Sequence, residues 1–473
     1  MLYFFTAINS YFSQDDFFHF RAIMDKSLVN VPSFFLSSQK DYAFYRPLTR
    51  ETYNLVIYSI FKLNPFVFHL INFVLILLNG FLTYVICLTL TKKRFIAFLA
   101  VLIFLFSSVH SVELYYLSSD QTLFATTFVI FGFLSYINFS KSLKKRYYFL
   151  SILFFLLGLF SHESAVSLVP ILIVAEFWLL RKSINLKTSF LRLTPFLMLV
   201  FLRFILHFFE VNVSDQSVYQ MSLSPSNIFN TLAWFLLWSF GLPEMMVDFM
   251  TLRLKFNPNF FIWYKNYAMI IFPLVSVLFL ISTGLLVRFW KIFLKDKIFV
   301  FWLLAYILST LPFLFFPHHK FVYYLSLPLV FFSCFFATIL SKIILLKKFP
   351  KILIVVALGA YIIVAYQTIK INEITYWAAK RANSAKQIVS NIKKEYPTVK
   401  KGTVFYIKND PTYPFIAKEW GTSSKQAFYI LSGSDAFKLI YNDPSINVYF
   451  EDNDILPFSI DQNIIVYVAR FPY

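Results

Sequence analysis

The sequence predicts an α-helical polytopic membrane protein of about ten to twelve membrane segments, followed by a small α/β domain. Three observations predict it. The 473 residues are 59% hydrophobic with a mean hydropathy of +0.66. They hold 63 Phe against 9 Gly, more apolar surface than one soluble core can bury. That surface is arranged in repeated apolar runs of about 18 residues or more, the length a bilayer requires. The expected division is residues 1–370 for the membrane domain and 371–473 for the α/β domain.

Apolar spans fall at 65–90, 95–115, 120–139, 188–209, 266–288, 298–317, 321–341 and 352–370. Lys and Arg collect between them, at Lys92-Lys93-Arg94, Lys141 with Lys144-Lys145-Arg146, Arg181-Lys182 with Lys187, Arg288 to Lys297, and Lys342 with Lys347-Lys348. Such clusters stay cytoplasmic. The net charge of +19 is therefore a topology signal, and nucleic acid is not expected as a partner. Ser13 to Asn64, Val112 to Asp120, Ser161 to Ser164, Glu210 to Asn227 and Pro317 to Lys320 then face outward.

Two segments fit this scheme less simply. Residues 147–180 form two short arms around Ser161-His162-Glu163-Ser164, which places the turn below the outer surface; short helices are tolerated where they line a polar cavity. Residues 227–248 are apolar, but a full crossing would invert every later loop, so a re-entrant or surface-lying helix ending at Gly241-Leu242-Pro243-Glu244 is expected. Beyond Lys370 the composition turns mixed and charged. Ile371 to Glu395 is compatible with a helix, and Thr403 to Ile407, Ile446 to Phe450 and Ile464 to Val468 read as strands. About 100 residues suffice for a small α/β domain, which the charge pattern puts outside the cytoplasm.

Cys87 and Cys334 lie inside apolar runs and read as small core residues, not as a disulfide framework. Met1 to Phe12 lacks the basic start and the small-residue cleavage site of a signal peptide.

The outward loops collect Asp15, Asp16, His19, Arg21, Arg46, Arg50, Glu51, Glu113, Asp120, His162, Glu163, His318, His319 and Lys320. In a bundle these loops converge, joining carboxylates that accept a proton to cations that hold a phosphate. That is the equipment for group transfer from a lipid phosphate. Arg21 and Arg50 are expected to anchor at the interface. His162 with Glu163 reads either as part of the site or as a paired polar turn, and His318-His319-Lys320 either as a snorkelling cluster or as a phosphate site. No metal or other cofactor is expected; Asp15 and Asp16 are the carboxylates best suited to a divalent cation such as Mg or Mn.

Five segments together resemble the GT-C superfamily of membrane glycosyltransferases, in particular protein O-mannosyltransferases and the tetratricopeptide-bearing transmembrane mannosyltransferases. They are Gln14 to Phe17 (QDDF), Phe44 to Thr49 (FYRPLT), Leu63 to Asn72 (LNPFVFHLIN), Val109 to Glu113 (VHSVE) and Ser161 to Pro170 (SHESAVSLVP), with a weaker echo at His319 to Pro328. The tetratricopeptide repeats are absent, and Met1 to Phe12 stands where family members carry a full first helix.

The resemblance implies a GT-C-like fold and a hexosyltransferase, mannosyltransferase-like, that takes a sugar from a polyprenyl-phosphate carrier in the bilayer. The acceptor, whether protein, lipid or glycan, is met on the extracytoplasmic face. It also implies Asp15 or Asp16 as catalytic base, Arg46 as the donor-phosphate cation with His162 or Lys320 assisting, and Glu113 and Glu163 as groups that orient acceptor or donor. Two alternatives remain open at the level of sequence. A glycan ligase or polymerase for lipid-linked saccharides needs paired basic residues in a large outer loop, and a transporter or flippase needs internal repeats and polar residues at mid-membrane.

Overall fold

The computed structural model describes residues 2–36, 44–180, 186–210, 219–250, 257–346, 350–374, 378–414, 421–454 and 464–471. The expected basic clusters at Arg181-Lys182 and Lys347-Lys348 lie outside them.

The N-terminal third winds back and forth through α1 (Asp15–Ile23), α2 (Val31–Leu36), α3 (Asn54–Phe61), α4 (Pro65–Thr91), α5 (Arg94–Leu105), α6 (Val109–Tyr115), α7 (Asp120–Ser142) and α8 (Lys145–Ser161). Local chemistry sets their ends. Pro65 opens α4 behind Asn64, whose side chain accepts from the Phe66 amide at 3.2 Å. The run 95–115, read as one span, is broken: α5 and α6 meet at 51°. Ser107 and Ser108 sit at the bend, where the Ser107 hydroxyl accepts from the Val109 amide and the Ser111 hydroxyl donates to the Ser108 carbonyl, bonds that compete with the helical ladder.

The chain continues through α9 (Leu168–Val174), α10 (Leu186–Glu210), α11 (Pro225–Ser239), α12 (Asn259–Arg288), α13 (Trp290–Lys295), α14 (Lys297–Leu314), α15 (Ser326–Ser341) and α16 (Pro350–Ile374). Among the described residues eight helices are long and apolar enough to cross a membrane, nine if α5 and α6 count as one span, against the ten to twelve expected. The shortfall lies in the two segments that fitted the scheme least. Helix α8 has 17 residues and α11 has 15, or roughly 22–26 Å at 1.5 Å per residue, short of a hydrocarbon layer of about 30 Å. Helix α11 ends in a Schellman turn, with the Leu242 amide donating to the Leu237 carbonyl and Gly241 to Trp238. Gly241 takes φ +99, and a Cβ there would meet Val364 at 2.8 Å, so glycine is required on both counts.

Burial ranks the helices. The span containing α15 is 78% buried and central, whereas those of α10 and α12 are 22% and 28% buried. The outer helices display Phe190, Met198, Phe201, Ile262, Met269 and Leu280 on their surfaces. Exposed apolar area on that scale suits a lipid solvent, not water. The chain thus has the build of a multi-pass membrane protein.

Beyond α16, α17 (Ala379–Glu395) buries Ala379, Ala382, Ala385, Ile388, Val389 and Ile392 along one face and exposes Lys386, Lys393 and Lys394. It leads to β1 (Val404–Lys408), α18 (Ser423–Leu431), α19 (Asp435–Tyr441), β2 (Asn447–Phe450) and β3 (Ile464–Val468). The strands form a parallel sheet in the order β2-β1-β3, with Val404 opposite Asn447 on one side and Ile464 on the other. All three expected strands form, each within a residue of its expected start. The expected helix Ile371 to Glu395 is divided between the end of α16 and α17.

This domain docks on the N-terminal loops. The Gln14 amide donates to the Ile430 carbonyl of α18 at 2.8 Å, and Arg381 of α17 donates to the Gln14 side chain at 2.5 Å. Beneath the contact, Phe12 packs edge to face against Phe17, Phe20 and Phe68, with centroids 6.5, 4.9 and 5.7 Å apart. Four buried rings thereby fix the turn from Ser13 to Asp16.

Candidate active site

Asp15 and Asp16 open α1, and the helix separates them. Consecutive residues point about 100° apart, so one faces out while the other faces in. Asp15 is exposed and accepts a 2.6 Å hydrogen bond from the Tyr116 hydroxyl. Asp16 is 2% exposed. Its Oδ2 accepts from the Ser13 amide at 2.9 Å, and its Oδ1 accepts from both the amide and the hydroxyl of Ser118 at 2.7 Å. Burial pushes the Asp16 carboxyl up to about 7, against the hydrogen bonds from Ser118 and Ser13 and with a smaller contribution from Asp15.

Because that value lies above the unfolded carboxyl of about 3.9, the folded chain binds the extra proton between about pH 4 and 7. Stability therefore falls as pH rises through that window and levels off above it. Thermal unfolding in detergent at several pH values checks this; the slope is expected to diminish in Asp16→Asn. That variant should also unfold at lower temperature than wild type, because its amide cannot accept from Ser13 and Ser118 at once.

His19, 7% exposed, completes the inner layer. Its Nδ1 lies 3.2 Å from the Ser118 hydroxyl. Burial, followed by Arg50 and Arg46, holds the imidazole well below its ordinary pKa, so it is neutral.

Arg46 precedes the wide π-type turn Pro47–Tyr53, a local geometry often found at functional sites. Its Nε donates to Glu163 Oε2 at 2.9 Å, Nη2 donates to Glu163 Oε1 at 2.5 Å, and Nη1 donates to Gln121 Oε1 at 2.7 Å. Burial works against the charge, yet Glu163 lifts the guanidinium above its ordinary value. The fork is thus spent on Glu163, and two of the five N–H donors of Arg46 remain for another group. His162 stands beside the pair, with Nε2 3.5 Å from Glu163 Oε1 and Nδ1 accepting from the Ser164 amide at 3.2 Å.

An aromatic ladder joins acid to cation. Tyr116, on Asp15, lies 5.8 Å from Tyr323; Tyr323 lies 4.6 Å from Tyr324; and Tyr324 lies 6.2 Å from His162. The Tyr219 ring packs against His319 with centroids 4.4 Å apart and planes tilted by 48°. Burial raises the Tyr219 phenol, with Arg46 acting against the rise and Asp15 and Glu163 adding to it.

Other expected site residues are placed elsewhere. Glu113 is fully buried, with His110 Nδ1 at 2.6 Å from its Oε2 and the Ser326 hydroxyl donating to its Oε1. Its carboxylate is sealed between His110 and Ser326, while its backbone carbonyl accepts from Asn72 and from Ser119 of the following turn. Lys320 donates to Asn230 Oδ1 at 3.1 Å, and burial lowers its ammonium to about 8. Its neighbour His319 is lowered to about 4, chiefly by burial. Arg21 and Arg50, expected as interfacial anchors, are engaged with carboxylates instead. Arg21 forms an ion pair with Asp435, Nε lying 2.5 Å from Oδ1. Arg50, 5% exposed, pairs with its neighbour Glu51, since a guanidinium at that depth requires a counter-charge.

Sequence reasoning missed Tyr116, Ser118, Gln121, Tyr219, Tyr323 and Tyr324. The only signal was the YYLSSDQ run at Tyr115 to Gln121, a polar break between two apolar segments. Among the described residues no group of three or more His, Cys, Asp or Glu is arranged to hold a metal ion. A cavity of about 550 Å³ between α9 and α10, lined by Ile173, Phe177, Leu186, Lys187, Phe190, Leu193 and Leu197, has one charged group, Lys187, no carboxylate, and none of the cluster residues. No family model, curated protein or solved structure matches this chain.

Proposed function

We propose that the chain is a GT-C-like glycosyltransferase that moves a sugar from a polyprenyl monophosphate to a hydroxyl-bearing acceptor on the extracytoplasmic face. The observation that carries the reading is the placement of an exposed carboxylate, Asp15 on Tyr116, and a guanidinium, Arg46 on Glu163, at the two ends of one series of rings, Tyr116, Tyr323, Tyr324 and His162. Glycosyl transfer from a phosphate needs both.

In this mechanism Asp15 takes the proton of the acceptor hydroxyl as its oxygen attacks the anomeric carbon. The bond from that carbon to the phosphate oxygen breaks, and its electron pair leaves on the phosphate. The two remaining N–H donors of Arg46 stabilise the developing charge, with Glu163 and Gln121 fixing the plane of the guanidinium. His162 assists at the same end. The rings of Tyr116, Tyr323 and Tyr324 provide flat faces for a sugar. Of the two acids, Asp16 is the anchor: its oxygens are occupied by Ser13 and Ser118, which leaves Asp15 as the base.

The proposed orientation rests on the basic ends of the helices. Helix α7 begins at the cluster, where Gln121 accepts from Arg46, and ends at a basic turn, where Lys92 at the end of α4 acts electrostatically on Lys141. If that basic end is cytoplasmic, the cluster and the C-terminal domain face outward.

The test is transfer of radiolabelled sugar from defined polyprenyl-phosphate sugars, using membranes that contain the chain and matched membranes that lack it. Chain-dependent loss of label from the lipid donor, with gain in an acceptor, is expected. Transfer from a pyrophosphate-linked donor alone would move the reading to a ligase or polymerase, and uptake of label without bond transfer would move it to a transporter.

A further inference from the structure

The turn that presents Asp15 is held from two sides. From below, Tyr116 and Ser118 bind the carboxylates and Phe12, Phe17 and Phe20 pack beneath. From above, three contacts come from the C-terminal domain. The Gln14 amide donates to the Ile430 carbonyl of α18 at 2.8 Å. Arg381 of α17 donates through Nη1 to Gln14 Oε1 at 2.5 Å. Asp435, the first residue of α19, forms an ion pair with Arg21 of α1 at 2.5 Å.

Gln14 is the residue immediately before the acid pair. Its backbone lies at φ 58 and ψ −130, a corner that glycine adopts freely and a residue with a side chain adopts at a cost. Such a conformation persists only where its surroundings over-determine it. Here its amide and its side chain are both bound by the C-terminal domain.

We propose that the C-terminal domain is a clamp that sets the acidic turn, with Arg381 and Asp435 as positioning residues for Asp15. This rests on the transferase reading for its catalytic consequence, though not for the clamp itself. Rotation of Gln14 out of its corner swings the start of α1, and with it the carboxylate of Asp15. An error of about 1 Å at a reacting group can cost about 100-fold in rate. The contacts bridge 367 residues between Gln14 and Arg381, so catalysis in the membrane domain depends on a domain encoded at the other end of the chain.

The test uses the full chain in liposomes, with transfer rate at saturating donor, donor KM and hydrogen exchange measured together. Arg381→Ala and Gln14→Ala are expected to lower kcat by about 10-fold or more with donor KM little changed. They should speed exchange across Asp15 to Ile23 while Val404 to Lys408 stays protected. Arg21→Asp and Asp435→Arg should each show the same defect, and the double exchange should restore it. Wild-type kcat in both Arg381→Ala and Gln14→Ala would overturn the positioning role, as would deprotection of Val404 to Lys408 to the same extent as α1, which marks general unfolding. If the wild-type chain transfers no sugar from any donor, the functional reading fails by itself, and exchange still judges the clamp: unchanged exchange at Asp15 to Ile23 in Arg381→Ala would overturn it.

Discussion

Asp15→Asn is expected to lower donor-dependent sugar transfer by about 100-fold or more while the protein folds as before. Asp15 is exposed, and the one contact described for its side chain is the Tyr116 hydroxyl, which an amide oxygen can accept equally well. The substitution therefore removes the proton acceptor and little else. Asp16→Asn should behave in the opposite way. It disturbs a buried carboxylate bound by Ser13 and Ser118, so its first effect is on the stability and yield of the protein. Purified variants at matched folded concentration separate the two, with kcat measured in one assay and unfolding temperature in another. Full activity in Asp15→Asn, with loss only in Asp16→Asn, would exchange their roles.

The second large effect is expected at Arg46. Arg46→Ala should reduce transfer by about 100-fold or more and raise the donor KM, because a leaving phosphate loses its cation. It also strands Glu163, whose carboxylate accepts two hydrogen bonds from Arg46, so a stability cost on the order of 3 kcal/mol should accompany it. Arg46→Lys separates the two contributions. A lysine keeps the charge but loses the fork that reaches Glu163 and Gln121 together, so intermediate kinetics are expected with most of the stability retained. Kinetics unchanged from wild type in Arg46→Ala, after correction for folded protein, would assign Arg46 to structure and pass the phosphate to His162 or Lys320.

The helical membrane architecture and the strand positions of the C-terminal domain were legible in the sequence because both signals are local. An apolar run of bilayer length is read within itself, and so is a short apolar strand rich in β-branched and aromatic residues such as Val404 to Lys408. The same locality explains the misses. Residues 95–115 look like one span by hydropathy, and only the bond geometry at Ser107 and Ser108 shows where it breaks. The acidic turn and Phe44 to Thr49 were visible as polar interruptions in an apolar chain, and Asp15, Asp16, Arg46, His162 and Glu163 do converge.

What each of those residues can do was decided by tertiary structure. Glu113 and Asp15 are both acids in outward loops by sequence, yet one is sealed against His110 and Ser326 and the other lies open. Asp15 and Asp16 are neighbours that the sequence leaves equivalent; Ser118 and Tyr116, about a hundred positions away, make one an anchor and the other a candidate base. Sequence by itself determined which segments leave water and which residues carry charge, because the free energy of transfer belongs to each side chain in its own run. The partners of those charges, and hence their protonation and exposure, depend on contacts between segments distant in the chain, and those exist only once the helices have packed.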